Sequence, residues 1–174
     1  MFDIHPATPA DAGEIFTLQR AAFVDEAQAF GDPFVLPLTE SLERVERLLG
    51  QEETLALKAV SGARLVGTVR ARVMGTSAVI GRLAVVPDLR RRGIARALLA
   101  DVEGHLRERH PHLSALDLST GAQETGQQRL YRGLGYTETS RERVAEHLVM
   151  VHMRKELVPG RSGGGGLSER GAAV

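Results

Sequence analysis

The chain has 174 residues, enough for one domain with a substantial core and short of two comfortable ones. Apolar residues make up 43% and charged residues 25%, an ordinary globular balance, and 22 basic against 22 acidic residues leave no net charge for a general grip on nucleic acid or an anionic membrane. The absence of cysteine excludes disulfides, thiolate metal ligands and a cysteine nucleophile.

The start, MFDIHPATPADAG, has neither a basic n-region nor an apolar h-region, and no apolar run approaches the roughly 18 residues of a membrane span, so a soluble cytoplasmic protein with no membrane partner is expected. Phe2 to His5 reads as a short strand. Thr8-Pro9-Ala10-Asp11 supplies a capping residue, a proline for the first helical position and an acid for the first turn, predicting a helix to about Ala22. The stretch from Asp25 to Pro37 holds aromatics and two prolines without a sustained period and reads as an irregular, substrate-side loop. Thr39 then opens a second helix that Gly50 stops.

Thr54 to Val60 and Leu65 to Met74 form a hairpin about Ser61-Gly62-Ala63-Arg64, with Val69, Ala71 and Val73 alternating against Thr68, Arg70 and Arg72. Ala78 to Val86 is the next strand. Ile94, Leu98, Val102 and Leu106 recur every four residues, so Arg92 to about Arg109 is an amphipathic helix that Pro111 ends. Ser114 to Ser119 is a strand, Glu124 to about Arg132 a short helix, and Tyr136 to Arg143 and Leu148 to Lys155 are further strands. The interleaving predicts an α/β layered fold with a mostly antiparallel sheet over residues 1–157, followed by a flexible Gly/Ser-rich tail over 158–174.

Chemistry concentrates at the junction VVPDLRRRGIARALL, where a strand runs into a helix through Arg90, Arg91, Arg92 and Gly93. The first N–H groups of a helix have no partner within it and its dipole makes that end partly positive, so the junction is suited to an anion. Gly93 removes a Cβ, Ala95 keeps the next turn small, and flanking arginines can pair with phosphate oxygens, an arrangement suited to a diphosphate. Neither a P-loop nor a GxGxxG pattern is present. Read alone, the run is equally well a tight turn with three solvated arginines.

The run RLAVVPDLRRRGIARALL resembles the acyl-CoA-binding signature of the GNAT superfamily of N-acetyltransferases, [Q/R]-x-x-G-x-[G/A] after an apolar strand, with Arg90, Gly93 and Ala95 filling it. QRLYRGLGY, residues 128–136, resembles the family's second segment, LYxxLG[FY]. The resemblance covers about Arg82 to Tyr136. It implies a mixed, mostly antiparallel sheet of six to seven strands with helices on both faces, and acetyl-CoA as co-substrate. The thioester would lie where the strand through Leu83, Ala84 and Val85 splays from the strand through Leu116 and Leu118. Backbone groups of Leu83 and Val85 would hold the pantetheine arm, and the amides of Arg91, Arg92, Gly93, Ile94, Ala95 and Arg96 the diphosphate. Arg91 stands where the family commonly has glycine, which an ordinary backbone angle at that residue would accommodate.

Tyr131 matches the tyrosine that in the family assists the departing sulfur; a buried core tyrosine is the alternative for the same residue. Gln127 stands where many members carry an asparagine and is expected to donate to the pantetheine or a phosphate. At a second such position stands Glu124, an acid that would meet the diphosphate's charge unfavourably unless it points away, and it is left out of the expected contacts. The strand before the signature, Ile80-Gly81-Arg82, lacks the acid that many members use as general base. Glu26 is the best candidate, with Asp25, Asp117, His147 and His152 as rivals. No spacing suggests a metal.

The resemblance thus implies direct acetyl transfer in a ternary complex to a primary amine on a small molecule or peptide, with a strand amide near Val85 holding the oxyanion; homodimers are common in the family, which makes a second copy of the chain a candidate partner. A non-catalytic acyl-CoA-sensing module on the same fold is the alternative. A nucleic-acid binder is disfavoured by neutral charge and by only two tyrosines, five phenylalanines and no tryptophan.

Overall fold

The computed structural model describes residues 1–158, so the Gly/Ser-rich stretch, apart from Val158, lies outside the described residues. The strands are β1 (Asp3–Pro6), β2 (Thr54–Ser61), β3 (Arg64–Met74), β4 (Ser77–Val85), β5 (Ala115–Gly121), β6 (Thr137–Ala145) and β7 (Leu148–Glu156). The helices are α1 (Ala12–Phe30), α2 (Leu36–Thr39), α3 (Leu42–Leu49), α4 (Ile94–Arg109) and α5 (Thr125–Arg132). The seven strands form one sheet in the order β1-β2-β3-β4-β5-β7-β6, antiparallel throughout except for the β4–β5 pair.

That parallel pair is short. Ser77, Ala78 and Val79 pair with Ala115, Leu116 and Asp117, and the strands have no pairing beyond Val79, so the second half of β4 leaves β5 and a gap opens between them. On its other side β4 stays paired with β3, but with a bulge: Thr68 faces Ala84 and Arg70 faces Gly81, so Arg82 and Leu83 together oppose the single residue Val69. Arg82 takes a left-handed φ of 52° at this bulge.

Helices cover both faces. A Cβ on Gly67 would come within 2.9 Å of Ile94 and 3.0 Å of Leu98, so glycine is what lets α4 lie directly on β3. Three residues on, Arg70 points to the opposite face, where it meets Glu40 between α2 and α3. The four-residue stripe of α4 is buried as its spacing predicts, with Ile94, Leu98, Val102 and Leu106 all in the core. β6 is exposed along almost its whole length and rich in charge, an edge strand protected from further pairing.

Two boundaries differ from the sequence expectation. The stretch after Asp25 is not a loop, because α1 continues through Glu26, Ala27 and Gln28 to Phe30 and stops at Gly31, whose φ of 64° gives a left-handed cap. Alanine and glutamine sustain the helix, and the prolines lie beyond its end. The next long helix begins at Leu42 rather than Thr39, since Ser41 Oγ accepts the Arg44 N–H at 3.2 Å and caps it. Thr39 instead closes the short turn α2, leaving Glu40 extended (ψ 128°) with its side chain turned inward.

Candidate active site

The gap between β4 and β5 opens into a cavity of about 830 Å³. Its walls include Leu83, Ala84 and Val85 of β4, the turn and first residues of α4, the last turns of α1 and the start of α5. Of the residues expected to hold a cofactor, Leu83, Ala84, Val85, Arg90, Arg91, Gly93, Ile94, Ala95, Arg96 and Gln127 all line it. Arg92 does not; it is exposed and borders a separate small depression with Met1 and Phe2.

At the mouth of α4 the backbone bends twice through the left-handed region, with φ 63° at Arg91 and φ 82° at Gly93. The expectation of an ordinary angle at Arg91 therefore fails. This turn requires a positive φ on a residue with a Cβ, a strain of about 1–2 kcal/mol. The first α-helical bond runs from the Ala97 N–H to the Gly93 carbonyl, so the N–H groups of Ile94, Ala95 and Arg96 precede the ladder. A Cβ built on Gly93 meets nothing within 4 Å, and Gly93 itself lines the cavity. Together these features fit a diphosphate laid against main chain.

The Arg90 side chain has other work. Its Nη1 donates to Asp25 Oδ2 and its Nη2 to the Ala22 carbonyl at 2.8 Å, tying the end of α1 across the cavity mouth. The Asp25 carboxylate is thereby committed. Asp117 is likewise held, by both Nε (2.7 Å) and Nη2 (2.9 Å) of Arg154, while His147 pairs with Asp32 and His152 with Glu142, each at 3.0 Å. None of these last three lines the cavity.

Glu26 does line it, and makes no hydrogen bond or ion pair among the described residues. Burial raises its carboxyl pKa, the neighbouring Glu124 carboxylate raises it further, and Arg82 partly offsets both, leaving it at about 7. Glu124 also borders the cavity, at the N-cap of α5. Left out of the expected cofactor contacts, it stands on the cavity wall close enough to Glu26 to raise that carboxyl.

Tyr131 is 5% exposed, and its hydroxyl donates to Gln127 Oε1 at 3.4 Å. The same Oε1 accepts from Thr120 Oγ1 at 3.1 Å, which leaves Gln127 Nε2 as the donor available to the cavity. Burial, with the charges of Glu26 and Glu124, pushes the Tyr131 phenol well above the ordinary tyrosine range, so it keeps its proton at neutral pH. Its ring also packs edge-on against Tyr136, 6.2 Å between centroids, so it is a core residue that does not itself line the cavity and reaches it only through Gln127, which does.

A family model described as an acetyltransferase (GNAT) domain matches residues 19–157. The chain belongs to the GNAT acetyltransferase family. As a GNAT protein it is an acyltransferase, and its mixed seven-stranded sheet is the GNAT fold. Among curated proteins it is 26% identical to the uncharacterized protein YyaT of Bacillus subtilis (strain 168) over 150 residues, 86% of this chain and 92% of the other. Among solved structures it resembles the ribosomal-protein-S18-alanine N-acetyltransferase of Escherichia coli, with TM-score 0.74, 20% identity and coverage of 90% and 94% of the two chains. It also resembles the PaiA N-acetyltransferase of Thermoplasma acidophilum solved with coenzyme A, with TM-score 0.73, 15% identity and coverage of 90% and 99%. No helix among the described residues of this GNAT chain is long and apolar enough to cross a membrane, and no group of metal-binding side chains is found among them.

Sequence reading named Glu26 but missed the surroundings that tune it. Nothing local in the sequence marks Glu124 as a neighbour of Glu26, and Arg82 and Glu40 stand in no motif. The signal available for Arg82 was its departure from an otherwise apolar and small strand stretch.

Proposed function

We propose that the protein transfers an acetyl group from acetyl-CoA to a primary amine by direct attack in a ternary complex, with Glu26 as general base and Tyr131 as general acid. The observation that carries this reading is a carboxyl unpaired among the described residues, Glu26, on the wall of the cavity that the main-chain turn of α4 also lines, with the buried Tyr131 phenol behind that wall and close enough to feel the Glu26 charge. Acetyl-CoA supplies an activated thioester whose leaving sulfur is a thiol of ordinary pKa about 8.5. The main-chain turn from Arg91 to Arg96 holds the diphosphate, Leu83 and Val85 offer backbone groups to the pantetheine, and Gln127 Nε2 donates alongside. Glu26 takes the proton of the incoming ammonium group, whose ordinary pKa of about 8 to 10 leaves too little free amine at neutral pH. Tyr131 gives its hydroxyl proton to the departing sulfur. The domain spans residues 1–157.

The test is thiol release from acetyl-CoA over a panel of amines, peptides and aminoglycosides, comparing the parent protein with Tyr131→Phe. The variant is expected to keep its affinity for CoA and to lose about 10²-fold to 10⁴-fold in turnover. Full activity would leave Tyr131 as a packing residue. CoA binding with every acceptor inert would favour a sensing module.

A further inference from the structure

On the face of the sheet covered by α1, four arginines gather about Glu40, three of them on its carboxylate. Glu40, 5% exposed, receives Arg70 Nη2 at 2.8 Å and Arg44 Nε at 3.6 Å on one oxygen, and Gln19 Nε2 at 2.9 Å and Arg82 Nε at 3.4 Å on the other. Arg20 Nη2 donates to the Glu40 backbone carbonyl at 3.1 Å. Burial alone would raise the Glu40 carboxyl, but the hydrogen bond from Gln19 and the charges of Arg70 and Arg82 outweigh it and hold it below the ordinary range. A single ionised carboxylate thus faces three cations, with Arg20 on the main chain beside it, and one well-placed arginine, Arg70, already neutralises it.

Arg82 is the group left over. It touches Glu40 only through Nε, at the long end of hydrogen bonding, and its Nη1 and Nη2 have no hydrogen-bond partner among the described residues. Those two nitrogens belong to the planar fork that grips carboxylate or phosphate oxygens. The side chain is 26% exposed, partly buried and not sealed in the core. Its backbone sits at φ 52° on the β4 bulge, an expensive conformation for a residue other than glycine. The bulge holds Arg82 next to Leu83, the first residue of β4 that lines the cavity, though Arg82 itself is not in the lining, and close enough to Glu26 for its charge to act on that carboxyl. Nearby, the buried Gln19 Oε1 and Arg20 Nη1 also lack hydrogen-bond partners, so this corner is not closed as a self-satisfied polar core.

We propose that the amine acceptor carries an anionic group, a carboxylate or a phosphate, and that the fork of Arg82 binds it, placing the amine toward Glu26. Arg70, Arg44 and Arg20 maintain a positive field around the seat, and Glu40 fixes Arg82 by its Nε and leaves the fork free. This inference rests on the N-acetyltransferase reading and adds the acceptor's chemical class.

The experiment is thiol release from acetyl-CoA with matched acceptors that differ only in the anionic group: amino acids against their carboxamides, and O-phosphoethanolamine against ethanolamine. The parent protein is expected to prefer the anionic member of at least one pair by tenfold or more in kcat/KM, and the pair that shows it identifies carboxylate or phosphate. Arg82→Gln is expected to erode that preference by about tenfold to a hundredfold, mainly through KM, with Arg82→Lys intermediate because it keeps charge and loses the fork. Melting curves of both variants confirm that they fold. Neutral acceptors turned over as well as anionic ones, or a preference that survives Arg82→Gln, overturn the proposal while leaving acetyl transfer intact. Release of thiol with no amine at all overturns both.

Discussion

At the scale of single residues, Glu26 couples catalysis to stability in opposite senses. Burial and Glu124 raise its pKa from 4.5 to about 7, so the folded protein holds a proton that the unfolded chain releases. The associated stability is complete below about 4.5 and is lost as pH rises through about 7, the same interval in which Glu26, as the proposed base, would lose its proton. We expect kcat/KM to rise with pH through an apparent pKa near 7. Glu26→Gln should abolish that limb, lower activity by about 10²-fold to 10⁴-fold, and flatten the decline of Tm between about pH 5 and about pH 8. A pH profile unchanged in the variant would assign the base elsewhere. Glu26 itself was legible from the chain, as an acid in a segment bordering the site. Its elevated pKa was not, because Glu124 and Arg82 reach it from α5 and β4, 98 and 56 positions away in the sequence.

At the scale of elements, the site depends on where α1 ends. Its last turn carries Phe30 onto Gly121 at the end of β5, and a Cβ there would fall 2.0 Å from the Phe30 ring. Ala27, Phe30 and Val35 form a small second core that Leu38 and Leu148 join, and the His147–Asp32 pair fastens the same region to the β6–β7 hairpin. Gly121→Ala therefore has to move the ring and the end of α1 with it. We expect a loss of about 1–3 kcal/mol, read as a lower Tm, and a fall in turnover because Asp25 and Glu26 sit one turn before Phe30. Adding Phe30→Leu should recover part of the stability by freeing space. An unchanged Tm in the single variant would mean that the ring has a ready alternative position. The helical nature of this segment was misread from the sequence because two prolines and the aromatics were weighted above EAQA, and only Gly31 stops the helix.

At the scale of the whole molecule, the cavity is a consequence of topology. One parallel pair, three residues long on each strand, inside an otherwise antiparallel sheet lets β4 and β5 part, and the α4 turn and α5 close the space from opposite sides. A ligand that binds only this folded arrangement raises the melting temperature. A hundredfold excess over Kd contributes about 2.7 kcal/mol, or about 5–10 °C for a domain of this size. We expect acetyl-CoA to produce such a shift in a thermal melt. Gly93→Asp, which sets a carboxylate into the open space before α4, should remove it. A variant that retains the shift would displace the diphosphate from this turn.

The order of strands and helices, the buried stripe of α4 and the main-chain turn at Gly93 were legible in the sequence, because hydrophobic period, capping and glycine placement are local properties of the chain. The LYRGLGY segment likewise marked Tyr131 before any fold was known. What only the tertiary structure decided are the properties that need distant residues side by side. The left-handed angles at Arg91 and Arg82 arise from a turn and a bulge that propensity does not announce. The commitment of Arg90 to Asp25 and Ala22, the poised carboxyl of Glu26, and the four arginines about Glu40 all join segments that meet only when α1 and the residues after it lie across the sheet. Charge and burial act through space, and the chain's own order does not carry that distance.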